Sequence, residues 1–165
     1  MEANCCVICD MPTSKLRDKA FEFLTEGNRP VFEDEIEPVY RKLFNALEYT
    51  EYPEDLRKIS DKTICAYFFM GGDFDEDVRY FFKCLHEGGT LHAFAAIDAD
   101  EFEGLIHMDE KGNIQTLGKE YQKIMGFMSA TDDESGNDEE SNDDLVSVYQ
   151  RLEQVKTLWM SSKND

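Results

Sequence analysis

Residues 61–89, DKTICAYFFMGGDFDEDVRYFFKCLHEGG, decide the fold of this chain. They hold more than a third of its aromatic residues and two of its five cysteines. Aromatic side chains bury more apolar area than other residues, so the hydrophobic core is expected to form around this stretch. No catalytic motif lies within it, and its interpretation is therefore structural.

Two glycines, Gly71 and Gly72, divide this stretch into two halves. The first half, ICAYFFM (64–70), is a short apolar run without a decisive period, and it is compatible with a buried helix or a buried strand. We favour a helix that continues from a helix starting at Pro53. The second half, 73–87, places phenylalanines on one side and acidic residues on the other. It predicts an amphipathic helix that ends at the pair of glycines following it.

The flanking sequence predicts more helices before this stretch and short strands after it. Thr13 or Ser14 offers an N-cap, Pro38 suits the first position of a helix, and Gly112 suits a hairpin turn. Residues 1–12 are interpreted as an irregular lead. The expected elements are helices at 14–26, 38–49 and 118–128, and strands at 90–97, 102–108 and 113–117.

These elements predict an α+β fold: a mostly helical domain with a small antiparallel β-hairpin or three-stranded sheet. Winged-helix domains have the same element order, in which helices are followed by a hairpin. The predicted organisation is the lead at 1–12, a single globular domain at 13–128, an acidic disordered linker at 129–144 and an amphipathic helix at 145–161. The linker is assigned from its low apolar content and high charge.

The formal charge of the 165 residues is −19 at pH 7. Residues 132–144 contain eight acidic residues and no basic one, which leaves about −11 on the remainder. Such a surface repels phosphate backbones, so we expect no direct nucleic-acid binding. It either attracts basic protein partners or serves solubility alone, and both interpretations stay open. No apolar run approaches the ~18 residues that span a membrane, and the first residues do not resemble a signal peptide. The cysteines are therefore expected to be reduced thiols in a nuclear or cytoplasmic protein.

Cys5, Cys6 and Cys9 form a C-x2-C spacing that resembles the opening of a RING-type zinc site. Zinc requires four ligands, and only Cys84 and His86 offer two more, because a second C-x2-C pair is missing. Buried or terminal reduced thiols are favoured, and no cofactor is expected. On a predicted helix Cys84 and His86 point to different faces, and no phosphate-binding or nucleophile-elbow motif occurs. The chain is predicted not to be an enzyme.

The candidate partner-binding residues lie on the C-terminal helix and on the predicted hairpin. In 145–161 apolar residues recur at alternating spacings of three and four, an a/d seam over about two heptads. Two heptads are too few for a solitary coiled coil, so the helix either folds back on its own domain, or binds a partner's groove or a second copy. The candidates are Leu145, Val148, Leu152, Val155 and Trp159 in the seam, and Phe102, Leu105 and Ile106 in the hairpin.

Four hydroxyl residues in the acidic linker each have an acidic residue three positions later. They are Ser129, Thr131, Ser135 and Ser141. Acidophilic kinases prefer this pattern, and phosphates at these positions would add further negative charge. The linker is therefore predicted to be a site of phosphorylation.

Three segments between residues 19 and 121 resemble the SPK domain of nematode chromatin-associated proteins. KAFEFLTEGNRP (19–30) resembles the opening helix of that family, and DKTICAYFFMGGDFDEDVRYFFKCL (61–85) resembles its apolar-then-acidic segment and helix. IHMDEKGNIQTL (106–117) resembles its closing element. The resemblance implies a nuclear or chromatin-associated interaction module without catalytic residues, and it supplies no site residues.

The sequence predicts a non-enzymatic protein–protein interaction module, an adaptor or regulatory subunit of a nuclear or cytoplasmic complex. Its partner is expected to be basic or to present a hydrophobic groove, and a homodimer through the C-terminal helix stays open. Two other classes are also open. One is an acidic DNA mimic or histone-binding protein, in which the carboxylates themselves are the function. The other is a small zinc protein that uses the N-terminal cysteines.

Overall fold

The strand Ala3–Asp10 (β1) lies inside a six-stranded antiparallel sheet in the computed structural model of the chain. The other strands are β2 (Asp55–Lys58), β3 (Thr63–Met70), β4 (His92–Ala99), β5 (Phe102–Met108) and β6 (Ile114–Thr116). Their order in the sheet is β2-β3-β1-β4-β5-β6. The structure describes residues 3–28, 30, 32–47, 50, 52–71, 73–99, 102–125 and 142–163. None of the helices in these ranges is both long and apolar enough to cross a membrane.

Five α-helices occur within the described residues, on the two faces of the sheet. They are α1 (Ser14–Leu24), α2 (Arg41–Leu47), α3 (Phe74–Glu87), α4 (Lys119–Met125) and α5 (Asn142–Lys163). Helices α1, α2 and α3 contribute Phe23, Leu43 and Phe82 to the core on one face. Helices α4 and α5 pack on the opposite face.

The element order is β1-α1-α2-β2-β3-α3-β4, and the strand order is β2-β3-β1-β4. This is the split β-α-β arrangement of the ferredoxin-like topology, with α2 added between α1 and β2. Strands β5 and β6 extend this sheet at the β4 side, and α4 and α5 add a second helical layer. Many unrelated functions occur on this topology, so the function has to be argued from the site.

The predicted mostly helical, winged-helix-like domain with a hairpin or three-stranded sheet is wrong. The segment 64–70, interpreted as a helix, lies in β3 and pairs with β1, which runs through the supposed irregular lead. The central residues of both strands are buried on both faces: Ile64 faces α1–α3, and its neighbour Cys65 faces α5. A strand covered on both faces has a continuous apolar run rather than an alternating pattern, so its sequence does not distinguish it from a buried helix.

The helices predicted at 14–26, 38–49, 73–87 and 118–128 are confirmed within the described residues, with differences at their ends. The helix predicted to start at Pro53 is wrong, because Asp55–Lys58 form the edge strand β2. Thr13 caps α1, because its Oγ1 accepts a hydrogen bond from the Leu16 backbone N–H at 3.1 Å. Pro38 begins a 3₁₀ turn that leads into α2. The turn between β5 and β6 has Gly112 at φ 88°, as the hairpin prediction requires. The predicted linker lies outside the described residues, apart from its last three, which begin α5.

Candidate interaction site beneath helix α5

Helix α5 crosses the sheet over β1 and β4 and packs beside α4. The sheet surface below it is apolar, because every second side chain of the central strands points to this face. The sheet side chains of this groove are Cys6, Ile8, Cys65, Phe94, Ala96 and Leu105. Tyr121 and Met125 of α4 add to the same cluster. We call this surface the α5 groove, and α5 fills it.

The predicted seam of α5 lies against this groove to different degrees. Leu152 and Val155 have 0% of their surface exposed, and Val148 and Trp159 are half-buried against the same cluster. The side chain of Leu145 lies outside the described residues. The helix therefore folds back on its own domain, which was one of the alternatives. Contact of these residues with a partner stays a prediction.

Tyr149, which lies beside the predicted seam, is also part of the packing and is 2% exposed. Its hydroxyl donates a hydrogen bond to Oδ2 of Asp55 on β2, at 3.0 Å. Burial raises the pKa of the Tyr149 hydroxyl, and the charge of Asp55 adds to the effect. The hydroxyl therefore stays protonated and donates this hydrogen bond. The bond attaches the N-terminal half of α5 to the edge strand β2.

A partly buried polar cluster lies beneath the C-terminal half of α5. Asp10, at the end of β1, accepts hydrogen bonds from Lys156 Nζ at 3.1 and 3.2 Å and from Thr63 Oγ1 at 2.6 Å. His92 Nε2 lies 2.7 Å from Oδ2 of the same carboxylate. Glu153 Oε2 lies 3.2 Å from Lys156 Nζ. One carboxylate thus connects three strands of the sheet to the helix.

The charges in this cluster follow from its burial. Burial lowers the pKa of His92 below its ordinary value, against the opposing effect of Asp10. Burial also disfavours the charge on Lys156. The negative charges of Asp10 and Glu153 favour it more strongly, so the pKa of Lys156 is raised. At neutral pH Lys156 is therefore charged and His92 neutral, so the Lys156–Asp10 contact is an ion pair that holds α5 on the sheet.

Aromatic and imidazole rings close the groove at the C-terminal end of α5. The ring centroid of Trp159 lies 4.0 Å from that of His107, 6.0 Å from that of Phe94 and 6.2 Å from that of His92. His107 is fully buried. The environment of Trp159, the only tryptophan in the chain, therefore depends directly on whether α5 is in place.

The three hairpin candidates do not form one surface. Leu105 is fully buried in the α5 groove, whereas Ile106, 2% exposed, belongs to the core under α1–α3. Neighbouring residues of a strand point to opposite faces, so one partner surface does not reach both side chains. Phe102 pairs with Ala99 through the backbone, and its side chain lies outside the described residues. The modification candidates Ser129, Thr131, Ser135 and Ser141 also lie outside them.

The N-terminal cysteines are separated by the pleat of β1. Cys5 and Cys9 face α1–α3, whereas Cys6 faces the α5 groove, so the three sulfur atoms do not converge. Burial raises the pKa of Cys6 and of Cys9 to about 12, and it also raises the pKa of Cys84 on α3. A thiolate nucleophile is disfavoured at each position. Within the described ranges, no three His, Cys, Asp or Glu side chains are grouped to hold a metal ion.

A shallow groove of about 340 Å³ opens beside α5, along the exposed edge of β2. Its lining residues are Arg57, Ile59, Val146, Tyr149, Gln150 and Glu153. Arg57 is paired with Asp55, its Nε lying 2.8 Å from the carboxylate. This shallow groove is lined in part by Tyr149 and Glu153, which also take part in the packing of α5. It therefore lies next to the α5 groove on the surface.

Sequence reasoning missed Asp10, His92, Lys156 and Tyr149 as parts of this site. Asp10 does leave a trace, since a carboxylate directly after a buried apolar strand requires a partner. The partner is 146 positions away, and nothing in the local pattern of α5 distinguishes Lys156 from a solvated lysine.

No protein-family model matches this chain, and neither a search of curated proteins nor a search of solved structures found a match. The functional argument therefore rests on the α5 groove itself. The resemblance to the SPK domain stays a prediction.

Proposed function

We propose that this chain is a non-enzymatic protein–protein interaction module that serves as an adaptor or regulatory subunit. One observation carries the proposal: α5 lies in an apolar groove in the manner of a helical ligand in the groove of its receptor. The raised pKa values of the buried thiols disfavour nucleophilic chemistry at the cysteines. Reduced, buried cysteines and the SPK resemblance support a nuclear or cytoplasmic complex as its location.

The test is affinity capture with mass spectrometry, using the full chain as bait. A matched bait is an unrelated protein of the same size and net charge, which controls for unspecific attraction to acidic surfaces. We expect specific partners to be enriched on the full chain alone. Identical protein sets on the two baits would contradict a specific interaction module.

Two variants of α5 locate the binding surface. Leu152→Asp places a carboxylate in the groove, whereas Leu158→Asp places one on the exposed side of the same helix. If partners contact the groove or the seam, Leu152→Asp changes the captured set and Leu158→Asp does not. Equal capture by both variants would show that partners bind elsewhere on the protein.

The charge distribution favours a second candidate, an acidic protein that binds histones or other basic proteins. Residues 1–125 contain 26 acidic and 14 basic residues, a net charge of −12. In such a protein the carboxylates attract the partner directly, so affinity for a lysine-rich peptide falls steeply as salt increases. Affinity that is constant across salt concentrations would exclude this candidate.

A further inference from the structure

We propose that α5 is the exchangeable occupant of its groove, and that a basic amphipathic helix of a partner protein binds there in its place. The inference rests on the proposed function, because it specifies the binding surface and the chemistry of the partner. It is carried by three properties of the described residues: the shape of the groove, the attachment of α5 and the distribution of charge.

The packing of α5 defines what a competing helix needs. Tyr149, Leu152 and Val155 enter the apolar groove at spacings of three residues, which are successive turns of one helix face. Lys156 follows and reaches Asp10 at the end of β1. A ligand of this groove is thus a helix with bulky apolar residues at i, i+3 and i+6 and a cation at i+7.

The attachment of α5 permits it to leave without dismantling the rest of the domain. The core formed with α1, α2 and α3 contains no residue of α5. Arg151 donates a hydrogen bond to the backbone oxygen of Met125, the last residue of α4, at 2.8 Å. Asn142, the first residue of α5, lies about 14 Å from Arg151 along the helix axis. The connecting residues 126–141 reach roughly 55 Å when extended, which exceeds this span several-fold.

The charge distribution favours a basic competitor over α5. Residues 142–163 carry three acidic and three basic side chains, a net charge of zero, whereas residues 1–125 carry −12. Gln150, Gln154 and Thr157 lie on the exposed side of α5. A partner helix with lysine or arginine at such positions is attracted at long range to the acidic domain, whereas α5 is not. This attraction offsets the high local concentration that α5 has because it is part of the same chain.

A second copy of the chain is a weaker occupant on the same grounds. Its α5 has the same neutral charge and the same contacts, so binding between copies adds no attraction. It also loses the high local concentration that the connection through residues 126–141 provides within one chain. The favoured occupant is therefore a different protein with a basic helix.

Trp159 reports the exchange in the unmodified full chain, because its ring packs against His107 only when α5 is docked. The probes are synthetic peptides of residues 142–163 with Trp159→Phe, which makes them silent at the tryptophan wavelength. One has no further change, and a basic peptide carries Gln150→Lys, Gln154→Lys and Thr157→Lys. A control peptide carries the same lysines together with Leu152→Gln and Val155→Gln, so that its net charge equals that of the basic peptide.

We expect the basic peptide to shift the emission of the chain's Trp159 to longer wavelength. Its half-displacement concentration should be at least about tenfold below that of the unmodified peptide, and added salt should reduce the difference. The control peptide has the same charge as the basic peptide but lacks the apolar seam, so it should produce no shift.

Two results would overturn the exchange. One is binding of the basic peptide, followed by anisotropy of a label on the peptide, with unchanged Trp159 emission. The other is an equal shift with the control peptide. If a partner captured from cells binds the full chain without changing Trp159 emission, the interaction function stands and the exchange is excluded.

Discussion

The Nζ of Lys156 lies within 3.2 Å of both carboxylate oxygens of Asp10, which joins α5 to the central strand of the sheet. The two side chains are only 17% and 16% exposed. Removing one member of a pair in such surroundings leaves the other charge desolvated and uncompensated. The position of α5 is therefore sensitive to any change at either residue.

Lys156→Met should lower the free energy of unfolding by about 2 to 3 kcal/mol, because Asp10 then keeps its charge with only Thr63 and His92 as partners. Urea denaturation followed by circular dichroism measures the change. The matched control is Lys15→Met on the exposed side of α1, which should change stability by less than about 0.5 kcal/mol. Equal effects of the two substitutions would show that the ion pair contributes nothing specific.

The stability of the domain should fall on acidification through His92. Burial lowers the pKa of His92, so below its ordinary value of about 6.5 the unfolded chain binds a proton that the folded chain resists. The groups that face it are Asp10 on β1, Lys156 on α5, and Asp109 and Glu110 in the β5–β6 turn. Folding is then weaker at low pH, and stability rises towards neutral pH.

The measurement compares the wild type with His92→Gln, which keeps a polar side chain but does not titrate. Urea midpoints at about pH 7.5 and about pH 5.5 should differ more in the wild type than in the variant. An identical pH dependence in the two proteins would assign the effect to other groups.

Leu152→Ala and Leu158→Ala test the packing of α5 on one helix. Leu152 is fully buried, so its truncation should cost about 2 to 5 kcal/mol. Leu158 is 39% exposed, and its truncation should cost less than about 1 kcal/mol. Thermal unfolding of both variants gives the comparison, and similar costs would contradict the orientation of the helix described above.

The thiols should be unreactive in the folded protein. All five cysteines are buried, and burial raises the pKa of Cys6 and Cys9 to about 12. A chromogenic disulfide reagent should therefore react slowly with the native chain and rapidly with all five thiols in denaturant. Fast reaction of one thiol under native conditions would identify a cysteine that is accessible in solution.

The sequence was informative for the amphipathic helices, which have one solvent-exposed face. The amphipathic patterns of α1 and α3 and the turn at Gly112 predicted the structure there correctly, because solvent on one side leaves a readable period. It was uninformative for β1 and β3, whose two faces are both covered by helices. An unbroken apolar run such as residues 64–70 is equally compatible with a buried helix.

The same limit applies to the site. The apolar period of α5 was visible, but the surface that it contacts is assembled from strands far apart in the sequence. Asp10 and His92 are neighbours only because β1 pairs with β4. Such pairing depends on the whole sheet, and no local pattern around either residue specifies it.

The central position of β1 also has a consequence for biosynthesis. Its two neighbours in the sheet, β3 and β4, are completed only at Met70 and Ala99. At about 5 to 20 residues per second, translation takes roughly 5 to 20 s from the end of β1 to the end of β4. Until Met70 is made β1 has neither of its neighbours, and until Ala99 is made it still lacks β4 on its other edge. We expect ribosome-associated chaperones to occupy β1 until β4 has left the ribosome.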